Sequence, residues 1–256
     1  MPERQIIAIA NQKGGVGKTT TAINLGAALA EHKQTVTIID LDPQGNASTG
    51  LGIDADDRVP NSYDLLLGEA SLAEAVRHTD IPGLSIVPAT ADLASAELDI
   101  ASRARRTNLL ADALEQAQGL VLIDCPPALG LLTINAMVAA DSVIVPLQAE
   151  FYALEGLSQL MLTVREVRAS ANRKLRIEGV LLTMSDARNN LSQQVEADAR
   201  KTLGPLVFET VVPRNVRVSE SPSHGLPVIH YDPASKGSVA YRALAKEILQ
   251  RETVVG

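Results

Sequence analysis

Aromatic residues make up only 2% of this 256-residue chain, and tryptophan is absent. Hydrophobic residues are nevertheless 46% of the total, so the core must be built from Ala, Leu, Ile and Val. That composition suits parallel strands covered by helices. There is a single cysteine, Cys125, which excludes an internal disulfide and fits a reducing, cytoplasmic setting. No apolar run approaches the ~20 residues of a membrane span. The N-terminus enters an apolar run directly, without the charged-then-apolar order of a signal peptide. Positive charge is not in excess: the formal net charge is -7, which argues against a basic coat but leaves room for a local basic face. Internal repeats, linkers and low-complexity segments are also lacking. Residues 1–256 therefore read as a single domain, long enough to bury a substantial core.

The most informative stretch is residues 6–21, IIAIANQKGGVGKTTT. An apolar, β-branched run at 6–9 is followed by a glycine-rich turn, and then by a helical pattern with Ile23, Ala27 and Ala30 on one face. Strand, glycine loop and helix are the context that a phosphate-binding loop requires. Gly14, Gly15 and Gly17 let successive backbone N–H groups, with those of Val16 and Thr20, point into one concavity that binds anions. The helix N-terminus adds its positive end. Lys18 supplies a point charge for the β- and γ-phosphates, and the Thr19 hydroxyl is placed to hold Mg²⁺. The usual pattern begins with glycine; here residue 12 is Gln, and Lys13 stands beside it at the head of the loop.

Two further acidic strand ends follow. Residues 35–40 (TVTIID) read as a buried strand leading into Asp40-Leu41-Asp42-Pro43-Gln44. Residues 120–124 (LVLID) are an aliphatic run ending in Asp124, ahead of Cys125-Pro126-Pro127. Carboxylates at the C-terminal ends of parallel strands face the crevice where ligands bind, and Asp124 is placed there to hold Mg²⁺ through water. Other strands are predicted at 84–87, 140–148, 177–184 and 206–212. Helices are predicted at 61–67, 71–77, 91–100, 103–117, 191–203 and 234–251, and residues 150–156 lead into a further long helix that runs to about 172. A long loop is expected from 213 to about 227. Ser71 and Glu74 form a capping-box pattern. The alternation of strands and helices predicts an α/β fold, a mostly parallel twisted sheet with helices on both faces.

Lys13-Gly14-Gly15-Val16-Gly17-Lys18-Thr19, Asp40-x-Asp42-Pro43-Gln44 and Asp124-x-Pro126-Pro127 together resemble the deviant P-loop ATPases of the ParA/MinD group. Residues 148–157, Pro213-Arg214-Asn215-Val216-Arg217 and Tyr231-Asp232-Pro233 extend the resemblance to the chromosomal ParA (Soj-type) subgroup. The resemblance implies a P-loop NTPase domain that hydrolyses ATP with Mg²⁺ and dimerises around the nucleotide. By it, Lys13 reaches the partner's phosphates, Asp42 positions the attacking water, Asp40 lies in the Mg²⁺ shell, and Met184, Pro213 and Asn215 lie near the adenine. It also implies non-specific binding to double-stranded DNA, a centromere-binding partner of the ParB type, and a cytoplasmic, nucleoid-associated location.

Relatives with the same loop are less similar. A nitrogenase-type iron protein needs two cysteine ligands per chain. A MinD-type membrane factor ends in a basic amphipathic helix, whereas residues 245–252 carry mixed charge with few large apolar side chains. Plasmid-type ParA proteins carry an additional N-terminal DNA-binding domain. A metabolic enzyme of the dethiobiotin-synthetase kind would need a second-substrate motif. Between Arg165 and Arg217 there are ten basic and six acidic residues, a local balance of +4 in an acidic chain. Two readings stand for this segment: a face that binds phosphate backbone without reading sequence, or solvated helix faces. On the first reading Arg188, Arg214 and Arg217, expected on loops, are the contacts, with Lys236 in addition.

Overall fold

The computed structural model describes residues 4–150 and 153–255, so Phe151 and Tyr152, in the predicted approach to the long helix, lie outside the described residues. Eight strands form one sheet: β1 (Arg4–Ile9), β2 (Val36–Asp40), β3 (Arg77–His78), β4 (Leu84–Val87), β5 (Gly119–Asp124), β6 (Ser142–Gln148), β7 (Arg176–Ser185) and β8 (Val207–Pro213). Their order is β3-β4-β2-β5-β1-β6-β7-β8. Every pairing is parallel except the short β3 edge, which runs antiparallel to β4. The central strands are apolar on both faces because helices cover both. Ile7, Ile9, Val36, Ile38, Leu120 and Leu122 point to one layer, and Ile6, Ala8, Ile39, Val121 and Ile123 to the other.

Helix Lys18–Glu31 lies on the first face, packed beside the closing helix Lys236–Val255. Ala240, Tyr241, Leu244, Ala245 and Ile248 of that closing helix are buried in the same layer. The opposite face is covered by helices that include Ser62–Leu67, Leu93–Ala101, Leu109–Ala113, Leu131–Ala139, Ala153–Ser170 and Asn190–Leu203. Among the described residues, no helix is long and apolar enough to cross a membrane.

Three predicted elements differ. The helix expected over 71–77 ends at Ala75, and Arg77 passes into β3. The helix expected over 103–117 is reduced to Leu109–Ala113. Asn135 causes the break from a neighbouring helix: its amide donates to the Arg106 carbonyl at 2.9 Å, and its oxygen accepts from the Leu110 N–H at 3.3 Å. These backbone groups are thus satisfied by a side chain instead of by a helical turn. The loop expected over 213–227 is instead mostly short helices, Val216–Glu220 and Ser221–His224. Asn215 starts the first by accepting the Arg217 N–H at 2.8 Å, an N-cap. The β3 edge was not foreseen; two residues carry no readable period.

Candidate active site

β1, β2 and β5 are adjacent, and their carboxyl ends bring the three predicted motifs to one edge. Ile9 stands in register with Asp124, and Asp124 with Asp40. Between β1 and helix Lys18–Glu31 the glycine turn uses left-handed backbone at Gly15 (φ 73°) and Gly17 (φ 88°). That region is open to glycine and strained for other residues. Gly17 caps the helix with no side-chain hydrogen bond, and the first turn carries no acid. The N-terminal amides of a buried helix are therefore left facing the crevice, an arrangement suited to an anion.

Distant residues hold the turn in shape. The Thr183 hydroxyl, on β7, donates to the Val16 carbonyl at 2.8 Å. The Asn11 side chain donates to the Pro146 carbonyl at 2.7 Å and accepts the Lys13 N–H at 3.0 Å. Gln12, where glycine is usual, donates to the Gly156 carbonyl at 3.3 Å. None of these supports was foreseen from the sequence. Each joins residues more than 130 positions apart or depends on such a contact, and no local spacing signals it.

The two loop lysines differ. Lys18 is buried, with its amine 3.1 Å from the Lys13 carbonyl, so it folds back across the cradle. Burial lowers its pKa, while Asp124, Cys125 and Asp42 pull it back up. Lys13 is turned to Glu150. Its amine lies 3.2 Å from Glu150, with both side chains nearly half exposed, and Glu150 also accepts from Gln148 at 2.5 Å. A cavity of about 540 Å³ opens here, bordered by Lys13, Gln148, Glu150, Met184, Asp186 and Arg214.

The acids differ as well. Asp40 is buried, and its oxygens accept the Asp42 N–H at 3.1 Å, the Ser48 N–H at 2.9 Å and the Ser48 hydroxyl at 2.7 Å. Burial still raises its pKa to about 6. Asp124 is equally buried, yet neither of its oxygens has a hydrogen-bond partner at good geometry. Burial first, and then the charge of Asp40, push its pKa well above the carboxylate range; the Thr19 hydroxyl and Lys18 pull the other way. Burial and Asp124 also push the Cys125 thiol up, so it is an inert core residue. Asp42 is mostly buried and accepts the Gln44 N–H at 3.0 Å. Among the described residues no cluster of three His, Cys, Asp or Glu could hold a metal unaided. An orphaned buried carboxylate beside a threonine hydroxyl and a phosphate cradle does fit Mg²⁺, which is commonly held by one carboxylate together with substrate phosphates.

Of the residues expected near a base, Met184 (φ 51°) reaches the loop, its methyl 3.8 Å from the position a Cβ on Gly17 would take. Pro213 pairs in register with Ser185 at the edge of the same crevice, and Asn215 follows it as a helix cap. The expected DNA contacts do not share one setting. Arg188 is on an exposed turn and pairs with Asp186 at 3.2 Å. Arg214 is exposed and lies outside the ion pairs formed among the described residues, bordering the cavity beside Lys13. Arg217 is on helix Val216–Glu220, not on a loop, and pairs with Glu220 at 3.0 Å and Asp232 at 3.4 Å. Lys236 is exposed at the start of the closing helix. Ion pairs also engage Arg176 and Arg200, so the local positive balance is weaker than a count of residues implies.

Comparison with known proteins agrees with this geometry. Residues 4–177 match the family described as an AAA domain. The chromosome partitioning protein ParA of Caulobacter vibrioides is 56% identical over 97% of this chain and 95% of its own length. The sporulation initiation inhibitor protein Soj of Bacillus subtilis is 52% identical over 95% of this chain and 98% of its own. Among solved structures, a cobyrinic acid a,c-diamide synthase from Mycobacterium smegmatis with bound ADP and magnesium has a TM-score of 0.85 at 37% identity. It covers 98% of this chain and 96% of that one. With the phosphate cradle, the two acidic strand ends and near-complete alignment in hand, the chain belongs to the ParA/Soj family of chromosome partitioning proteins.

Proposed function

We propose that this protein is a DNA-segregation ATPase whose ATP-bound dimer holds DNA non-specifically and releases it on hydrolysis. The observation that carries the reading is the direction of Lys13. A second loop lysine that turned inward would only duplicate Lys18. Lys13 instead stands at the mouth of the site, half exposed on Glu150, where a second copy of the chain can present its phosphates. Lys18 and the loop amides bind the β- and γ-phosphates, and Thr19 with Asp124 holds Mg²⁺. The ion, when bound, neutralises phosphate charge. Asp42 orients the attacking water. Asp40, whose oxygens already serve the main chain and Ser48, holds the Asp42 loop in shape in preference to acting as a metal ligand. Met184, Pro213 and Asn215 flank the adenine.

Dimerisation doubles the basic surface and so steepens the dependence of DNA affinity on nucleotide. Arg214 is the leading phosphate contact, with Arg188 and Lys236 beside it; Arg217 must first leave two acids. A centromere-binding partner of the ParB type stimulates hydrolysis, and the protein works in the cytoplasm on the nucleoid. The M. smegmatis relative suggests another reading, a small-molecule synthase. However, the large second cavity, about 710 Å³, is bordered by Thr37, Leu65, Leu66 and Leu109. Thr37 is three residues before Asp40 on β2, about 10 Å down the strand. A substrate held there would not reach the phosphate cradle. A MinD-like membrane role is disfavoured because the closing helix has its apolar face in the core.

Sedimentation with a non-hydrolysable ATP analogue, with and without non-specific duplex DNA, tests the reading. Wild type should sediment as a dimer with the analogue and co-sediment with DNA. Lys13→Ala should stay monomeric. Arg214→Glu should dimerise yet lose about tenfold in affinity for every duplex sequence, with a shallower salt slope, because phosphate contacts carry no sequence information. Analogue-independent DNA binding, or normal dimerisation of Lys13→Ala, would overturn it.

A further inference from the structure

Arg58 lies in the surface excursion between β2 and β3, in none of the motifs that define the site. Its guanidinium has five N–H donors, and all five are directed at acceptors. Nε donates to the Ile53 carbonyl at 3.1 Å, and Nη2 to the same carbonyl at 2.8 Å and to the Thr49 hydroxyl at 2.9 Å. Nη1 reaches the carbonyls of Gly45 at 3.4 Å and Ala89 at 3.5 Å. None of these partners is an acid, so the fork is placed by geometry and not by charge pairing.

The acceptors lie immediately behind Asp42. The Gly45 N–H donates to the Asp42 carbonyl at 2.9 Å, closing the turn that carries the carboxylate. The Gly45 carbonyl also accepts the Thr49 hydroxyl at 3.1 Å. A Cβ on Gly45 (φ 61°) would come within 2.6 Å of Arg58 Nη1, so both the backbone shape and the close approach call for glycine. On the inner side, the Ser48 hydroxyl accepts the Ala89 N–H at 2.9 Å while donating to Asp40. The turn is thus held between Asp40 inside and Arg58 outside. A second arginine braces the segment from which Arg58 projects: Arg77 donates to the carbonyls of Asp57 at 3.0 Å, Pro60 at 3.3 Å and Glu74 at 2.7 Å.

We infer that Arg58 is a positioning residue for hydrolysis, clamping the turn behind Asp42 so that the carboxylate meets the attacking water at a fixed place. The inference rests on the ATPase reading given above. Misplacement of a catalytic group by about 1 Å can cost on the order of 100-fold in rate. Lysine has three donors on one point and cannot reproduce the fork.

The test measures kcat and KM for ATP hydrolysis with duplex DNA present, affinity for a non-hydrolysable analogue, and melting temperature, on the full chain. Arg58→Lys should keep analogue affinity within about threefold while kcat falls roughly 10- to 100-fold, with little rescue relative to Arg58→Ala. Thr49→Val, which removes one acceptor, should fall between these and wild type. A kcat per folded molecule within about twofold of wild type in Arg58→Lys overturns the inference, and so does loss of analogue affinity in step with kcat. Amide exchange at residues 44–49 reads the clamp without hydrolysis: it should quicken in Arg58→Lys, and unchanged exchange overturns the clamp. Absence of hydrolysis in wild type would count against the ATPase reading and leave the exchange result to decide the clamp.

Discussion

β2 and β5 lie side by side and end in acids that stand in register, Asp40 and Asp124, both fully buried. Around Asp40 the chain turns back and supplies three donors, two of them from Ser48. Around Asp124 it leaves through Cys125-Pro126-Pro127, a segment in which two of three residues have no N–H to give. The same residue type at the same depth is thus fastened in one place and left open in the next. A buried carboxylate without partners is costly, and the crevice beside it is where a cation would relieve the cost. On the proposed function Asp124 is the acid offered to a cation and Asp40 the acid that shapes a loop, with Asp42, two residues beyond it, carried by that loop.

The largest expected effect breaks the sequence Asp40-x-Asp42 at its far end. Asp42→Ala removes the group assigned to the water while sparing Lys18, Asp124 and the cradle. Turnover should fall on the order of 100- to 10,000-fold, the range for loss of a positioned acid–base group, with analogue affinity within about threefold. Equal loss of binding and turnover would show that Asp42 serves the pocket and not the water.

Asp124→Asn sharpens the comparison from the other side. It keeps the shape but removes the charge, so Mg²⁺-dependent affinity for nucleotide should drop about 10- to 100-fold, in keeping with losses at metal-supporting residues. Affinity without Mg²⁺ should hold, because burial and Asp40 already favour the neutral form of Asp124 when no cation is present. Asp40→Asn should leave the Mg²⁺ dependence nearly intact. If Asp40→Asn abolishes it instead, the division of labour between the two strand ends is wrong.

The positions of these acids were legible in the sequence, but not the division between them: the resemblance put Asp40 in the Mg²⁺ shell beside Asp124, and only the hydrogen bonds set the two apart. The strand-loop-helix at residues 6–21, the acids at 40, 42 and 124 and the alternation of strands and helices follow from local spacing, because each motif is closed within about twenty residues; the order of the strands in the sheet does not. What escaped was carried by contacts between distant parts of the chain. Thr183 supports Val16 across 167 positions, and Asn24 accepts the Val228 N–H across 204. Asn135 cuts a predicted helix short at Arg106. Arg217 looked like a free loop cation, yet it pairs with Glu220 and Asp232, the second of them 15 positions on. Composition shows that such residues exist; only the fold shows which of them are already engaged.

The smallest expected effect concerns the pH dependence of stability in the nucleotide-free protein. Asp40 titrates at about 6 in the fold and near 3.9 in the unfolded chain. Between those values the native state holds a proton that the unfolded state has lost. The stability attached to that proton is therefore complete below about pH 4 and declines as pH rises through about 6. From about pH 5 to about pH 7 the contribution amounts to roughly 1 kcal/mol, or about 2–4 °C in melting temperature for a chain of this size. In Asp40→Asn the Asp40 share of this decline should vanish, while the share from Asp124, raised first by its burial, persists. Absolute stability at low pH will be lower because one amide must face the Asp42 N–H with a donor or forgo Ser48. Removing the Asp40 charge also relaxes the upward push on Asp124, which flattens the profile in the same direction. Melting curves of both proteins across this window compare slopes, not midpoints. A wild-type slope equal to that of Asp40→Asn would mean that the three donors already cancel the burial of Asp40, and that the two strand ends differ less than their hydrogen bonds imply.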